Sequence, residues 1–355
     1  MNKEMLDLYS DYLIGSFGAI TATGLSAATD GQISHDKISR FLNGKEMGSK
    51  QLWELVKATI RKIEEEEGVI IIDDTIEEKI YTDENEIICW HYDHSLKRHV
   101  KGVNVINCLY YAKEVSIPIG FEVIAKTKLV TDKKTGKEKR VAEKTKNEMM
   151  REMLSNCQKH QIKYKYVLAD SWFSSNENME LIHVKLKKQF IFPIKSNRLV
   201  ALSREDKLAG KFISVEDMKL AVNSVSLVFI QGLDFPVLLT KQIFTNKDDS
   251  QNIQYLISND LTLTADMFTT IYKKRWKVEE FHKSLKSNLG FAKSPTQTKT
   301  SQTNHFFAAI FAFFKLESLN IKLKLNHFSL KSKLYFSALR ASLAELKKLS
   351  ALLPA

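Results

Sequence analysis

The chain is 355 residues long, 44% hydrophobic and 27% charged, and its 53 Lys and Arg outnumber 42 Asp and Glu to give a formal net charge of +11. This composition supports a buried core of two or three structural units and excludes a disordered chain, while the positive balance points to an anionic partner. Cys89, Cys108 and Cys157 lack the spacing of a metal site and are odd in number, and no apolar run approaches bilayer-spanning length, so a reduced, cytoplasmic chain without a membrane partner is expected.

Residues 5–66 read as helices. Ser34 to Gly44 has the pattern of a short helix stopped by glycine, and a second helix follows through Trp53 and Ile60. Arg40, Lys45 and Lys50 of this helix-turn-helix-like pair suit entry into a DNA groove. Next comes Gly68-Val-Ile-Ile-Ile-Asp73-Asp74-Thr75, a β-branched run closing on carboxylates. It marks a strand buried on both faces with its polar end at a site. Trp90, His91, Asp93, His94 and the nearby His99 have the residue types of a zinc site without a completing motif, and a polar loop is the simpler reading.

Residues 103–113 and 120–130 read as two further strands with a turn near Ser116-Ile117-Pro118, so the first three strands form an antiparallel meander. The basic run from Lys133 to Arg140 suits an exposed hairpin loop or a DNA contact alike. A helix over 145–160 leads to Tyr164-Lys-Tyr-Val-Leu-Ala-Asp170, a second strand that ends on a carboxylate, and a helix over 174–188 leads to a strand at 190–194. Short alternating runs at 222–230, 237–244 and 252–257 indicate a β-rich insertion, because the interval from Asp170 to Glu279 is too long for a bare crossover. Trp172 and Trp276 read as core anchors, with stacking on an unpaired base as the alternative. Residues 301–350 read as helical, with Phe306 to Leu316 as a buried segment.

The densest chemistry lies in residues 271–286. Taken as one helix, Tyr272, Arg275, Glu279 and Lys286 fall within a stripe roughly 60° wide and about 21 Å long. Ile271, Val278, Leu285 and Leu289 form the neighbouring apolar stripe, so one side is buried while a carboxylate flanked by cations and a phenol faces a ligand. Charged residues at helical spacing usually make only a solvated face. Here, however, Tyr, two residues, Arg, three residues, Glu, six residues and Lys resemble the signature of DDE transposases of the insertion-sequence-4 family. Trp276, Glu280, Phe281, His282 and Lys283 are similar to that family as well.

The resemblance implies an α/β fold: an RNase H-like mixed-sheet catalytic core interrupted by a β-rich insertion, with helical N- and C-terminal regions. The segments are then a DNA-binding region at 1–66, core at 67–196, insertion at 197–262, core with the glutamate helix at 263–300, and a helical end at 301–355. Asp-Thr after an apolar strand points to Asp74 as the first metal ligand with Asp73 as its neighbour, joined by Asp170 and Glu279 around Mg²⁺, or Mn²⁺ as a substitute. Tyr272, Arg275 and Lys286 then hold DNA, with Arg40, Lys45 and Trp276 as further contacts. The implied activity is that of a bacterial, nucleoid-associated transposase that binds terminal inverted repeats as a homodimer, cleaves them and joins their 3′ ends to target DNA. A nuclease without strand transfer and an inactive DNA-binding regulator are the rivals, and the presence of all three acids argues against the second.

Overall fold

The computed structural model describes residues 2–93, 97–131, 136, 138–245 and 251–351. Four helices open the chain, α1 (Lys3–Gly15), α2 (Ala22–Ala28), α3 (His35–Leu42) and α4 (Ser49–Ile63). Six strands follow, β1 (Val69–Glu78), β2 (Cys89–Asp93), β3 (Arg98–Ala112), β4 (Val115–Val123), β5 (Lys128–Thr131) and β6 (Glu138–Val141). Helix α5 (Lys146–Lys159) leads into β7 (Tyr166–Leu168). Helix α6 (Asn176–Glu180), continued by a π-helical turn over Leu181–Lys185, leads into β8 (Gln189–Ile194). Then come β9 (Leu199–Ala201), α7 (Arg204–Leu208), β10 (Ile213–Ser214), β11 (Val225–Ile230), β12 (Val237–Thr245) and β13 (Gln251–Ser258). Helices α8 (Ala265–Lys273), α9 (Trp276–Asn288), α10 (Lys299–Leu323) and α11 (His327–Ser350) complete the chain.

The sheet is centred on β1, whose Val69 to Ile72 are fully buried. Strand β1 pairs antiparallel with β3 and parallel with β7, and β7 pairs parallel with β8. On its other edge β3 carries β2 and β4 end to end. The strands over 225–258 do not form a separate sheet: β13 pairs antiparallel with β8 and carries β12 and β11 outward. Because β7 is short and β1 long, the sheet beyond Leu168 has a gap beside Asp73, and the chain turns there at Asp170.

Four sequence expectations are corrected. The hairpin turn falls at Lys113-Glu114, not at Ser116 to Pro118. Both turn residues have positive φ, 50° and 60°, the geometry of a two-residue turn that follows the strand twist. Pro118 lies inside β4 opposite Leu109, and the register slips beside it, which is how a strand accommodates a residue without an N–H. Cys89 to Asp93 is a strand rather than a polar loop, with Cys89 and His91 inward and Trp90 and Tyr92 outward; His94 and most of the 133–137 basic run lie outside the described residues. Strand β1 does not close on its aspartates but continues to Glu78, paired with β3 as far as Gly102, where a β-carbon would collide with the Glu77 carbonyl. Finally, Trp172 and Trp276 are not core anchors, being 50% and 63% exposed.

Helix boundaries follow capping chemistry. Thr145 and Glu148 form a reciprocal capping box that starts α5 and puts Lys146 at its first turn. Phe306 to Phe313 are buried in α10, whose Phe307 packs on Phe121 of β4. Helix α11 makes contacts along its first half, with His327 buried and Lys331 and Tyr335 against Phe17, while Leu343, Leu346 and Leu349 are exposed.

Candidate functional site

Strand alternation assigns the acids to faces. Ile71 of β1 lies opposite Leu168 of β7, so Asp73, midway along β1, and Asp170, just past the end of β7, each two residues on, point to the same side of parallel neighbours. Asp74 takes the other side. There its Oδ2 accepts a 2.6 Å hydrogen bond from the ammonium of Lys146 on α5.

Helix α9 covers the Asp73 side. Val278, Phe281, Leu285 and Leu289 are buried beneath it. His282 stands 3.2 Å from the Asn107 amide of β3, and Asn107 is the cross-strand neighbour of Asp73. Residues 271–286 are not one helix. Helices α8 and α9 meet in a tightened turn at Lys274 and Arg275, held by the Lys274 N–H on Ile271, Arg275 on Tyr272, Lys277 on Lys274 and Val278 on Arg275, all three residues back. This turn aims Arg275 inward. Its guanidinium donates to Asp73 Oδ2 at 3.1 Å and lies 3.5 Å from Glu279 Oε1, so one cation bridges the strand acid and the helix acid.

Burial pushes the Asp73 carboxyl up to about 8, reinforced by the charge of Asp170 and opposed by Arg275. Burial also raises Asp170, opposed by the Trp172 N–H that its Oδ1 accepts at 2.9 Å and reinforced by the charge of Asp74. Acids that resist ionisation because they are buried beside other carboxylates are stabilised by an added cation. Tyr272 donates to the Ala169 carbonyl at 3.3 Å and lies under the Arg275 guanidinium, 5.9 Å from ring centre to carbon. Lys286 reaches the Ile76 carbonyl at 2.9 Å, further along β1 from the acids.

The structure thus brings together Asp73, Asp74, Asp170, Tyr272, Arg275 and Glu279, with Lys286 at the margin. Trp276 is exposed at the start of α9. Arg40 and Lys45 are exposed on α3 and the loop after it, and share no hydrogen bond or ion pair with the acids among the described residues. Lys146 escaped the sequence reading. The Thr145 cap signals a first helical turn, but nothing in the sequence says that this turn meets Asp74.

The donor set of Asp73, Asp170 and Glu279 is carboxylate oxygen alone, which suits a hard divalent cation. Among the described residues no three acidic, His or Cys side chains already stand as a metal-holding cluster; the Arg275 guanidinium bridges two of the acids instead.

A large mixed sheet with helices at both ends of the chain, one acid on β1, one just past β7 and one on the overlying α9 is consistent with a DDE nuclease fold. Two family models match: DDE superfamily endonuclease over residues 2–207, and Transposase DDE domain over residues 125–314. Each spans more than half of the chain, which therefore belongs to the DDE transposase and endonuclease superfamily. No curated protein matches it in sequence.

Proposed function

We propose that the protein is the transposase of a bacterial insertion sequence, resembling the insertion-sequence-4 family, which binds terminal inverted repeats, cleaves phosphodiester bonds there and transfers the 3′ ends to target DNA. The supporting observation is the shared face of Asp73, Asp170 and Glu279 in a superfamily that cuts nucleic acid. The order β4–β3–β1–β7–β8, three antiparallel strands and then two parallel, supports an RNase H-like core. Asp170 and Glu279, with Asp73 rather than Asp74 as the first strand's contribution, would hold Mg²⁺ or Mn²⁺. Such ions activate a water or 3′-hydroxyl and stabilise the leaving oxygen of an in-line displacement.

The side chains have separable tasks. Arg275 neutralises Asp73 and Glu279 until the cation enters, and its planar fork is then available to a backbone phosphate. Tyr272 fixes the Arg275 plane from below, and Lys286 adds a point charge further along β1. Asp74, tied to Lys146, positions the start of α5 against β1. A homodimer brings two ends together, and Arg40 and Lys45 contact terminal DNA away from the acids.

The test is incubation of the purified protein with its element's end-containing DNA and a target plasmid in Mg²⁺, with sequencing of all products. Joined ends are expected, lost by at least 10³-fold in Asp73→Asn, Asp170→Asn and Glu279→Gln with end binding retained, and reduced less in Asp74→Asn. Cutting without joining by the unmodified protein would make it a nuclease. Loss in Asp74→Asn but not in Asp73→Asn would restore Asp74 as the ligand. Sedimentation of the end complex at two protomers is the expectation for the dimer, and one protomer per complex would refute it.

A further inference from the structure

A cavity of about 530 Å³ opens at the carboxyl ends of β7 and β8, immediately after Asp170. In open sheets containing parallel strands, ligands bind in the crevice beyond the strand ends. Trp172, Asn176, Lys195, Asn197 and Arg198 line it together with serines, and no acidic side chain does. Trp172 is half exposed, and its backbone N–H is held by the Asp170 carboxylate. Lys195 is exposed directly after β8.

Arg198 is the more telling group. It is partly buried, and burial works against its charge with Glu177 as the opposing influence. Its guanidinium donates to the Asn176 side chain, and Asn176 is itself anchored by a 3.1 Å bond to the Gln231 carbonyl. No carboxylate forms an ion pair with Arg198 among the described residues. A partly desolvated guanidinium held in place by a neutral amide is arranged to receive an anion from outside.

We propose that this cavity takes one unpaired nucleotide of the DNA strand that passes Asp170, with the base against the Trp172 indole and its phosphate on Arg198 and Lys195. The assignment rests on the transposase reading only for the identity of the nucleic acid. Its size falls within the range of small-ligand sites, and an aromatic face beside two cations is the chemistry of a single-strand contact. A fully paired duplex keeps its bases stacked within the helix and cannot place one on Trp172.

The experiment compares the full-length protein and its Trp172→Ala, Trp172→Phe and Arg198→Gln variants for binding a twelve-residue thymidine oligonucleotide, alone or paired with its complement, without divalent metal. Trp172→Ala is expected to weaken the single strand about tenfold and the duplex less than twofold, with Trp172→Phe restoring most of the loss. Arg198→Gln is expected to lower the single-strand salt slope by about 0.7. Equal losses on both DNAs, or none on either, would overturn the proposal, provided that circular dichroism shows the variants folded. Failure of cleavage and joining by the unmodified protein would instead strike the transposase reading and leave this binding result standing.

Discussion

His305 shows what burial does to a single titratable side chain. Its Nδ1 stands 3.0 Å from the Tyr9 hydroxyl, and its Nε2 lies 3.2 Å and 3.3 Å from the Gly290 and Phe291 carbonyls. Two carbonyls need an N–H, so the neutral ring carries its proton on Nε2 and accepts from tyrosine on Nδ1. Burial, aided by the charge of Lys79, lowers its pKa from 6.5 to about 4. The unfolded chain therefore binds the proton first as pH falls, and stability present above pH 6.5 is lost on the way down to about 4, on the order of 3 kcal/mol. Urea midpoints at pH 7 and 4.5 should show that loss. His305→Gln, which keeps an acceptor and cannot titrate, should lessen the loss, with His91 and His282, also lowered by burial, keeping the remainder; an unchanged slope would acquit His305. Lys286 allows a second test on one residue, since it is exposed further along β1 from the acids: Lys286→Ala should reduce the salt slope of end binding by about 0.9, and an unaltered slope would remove its proposed phosphate contact. Glu279 and Asp170 could be singled out in the sequence because motif spacing and strand-end position are local properties. That Asp73 would meet Arg275 and Asp74 would meet Lys146 was not readable, since adjacent residues of one strand differ only in the face they take, and their partners come from helices far away in sequence.

At the scale of elements, legibility followed the same boundary. The β-branched run of β1, the Thr145 cap and the apolar stripe of α9 each announced their element through their own chemistry. The break between α8 and α9 had no such signal: Tyr-Lys-Lys-Arg-Trp-Lys contains neither glycine nor proline, and the turn tightens where Arg275 meets Asp73 across 202 positions of sequence. The hairpin at Lys113-Glu114 was misplaced for the opposite reason, because Pro118 looks like a turn residue while lysine and glutamate seldom take positive φ. That mismatch gives a prediction. Replacing the pair by Asn-Gly should relieve two left-handed residues and raise stability by about 1 kcal/mol, seen as a thermal midpoint about 2 °C higher. A fall would mean that the two side chains contribute contacts worth more than the strain.

Over the whole molecule, the expected division into core and insertion meets a continuous sheet. The edge of β8 is completed by β13, from Tyr255 opposite Ile194 to Ser258 opposite Ile191. A fragment of residues 197–262 therefore lacks the strand that satisfies β13, and its buried Leu256 and Ile257 would face water. Expressed alone it should give the circular dichroism of an unfolded chain; a cooperative melt would establish it as an autonomous unit. Helix order along the chain was readable, but the docking of α9 over β1 was not, since it depends on contacts between residues far apart in sequence. That docking has a temporal side. Asp73 and Asp170 leave the ribosome early and can take their places in the sheet, whereas Glu279 and the Arg275 that pairs with Asp73 arrive only after strands β1 to β13 have been made. Until the turn at Arg275 and helix α9 emerge, the nascent chain holds two buried-site acids without the cation that bridges Asp73 to Glu279, so the proposed site is assembled only after the sheet that carries those acids.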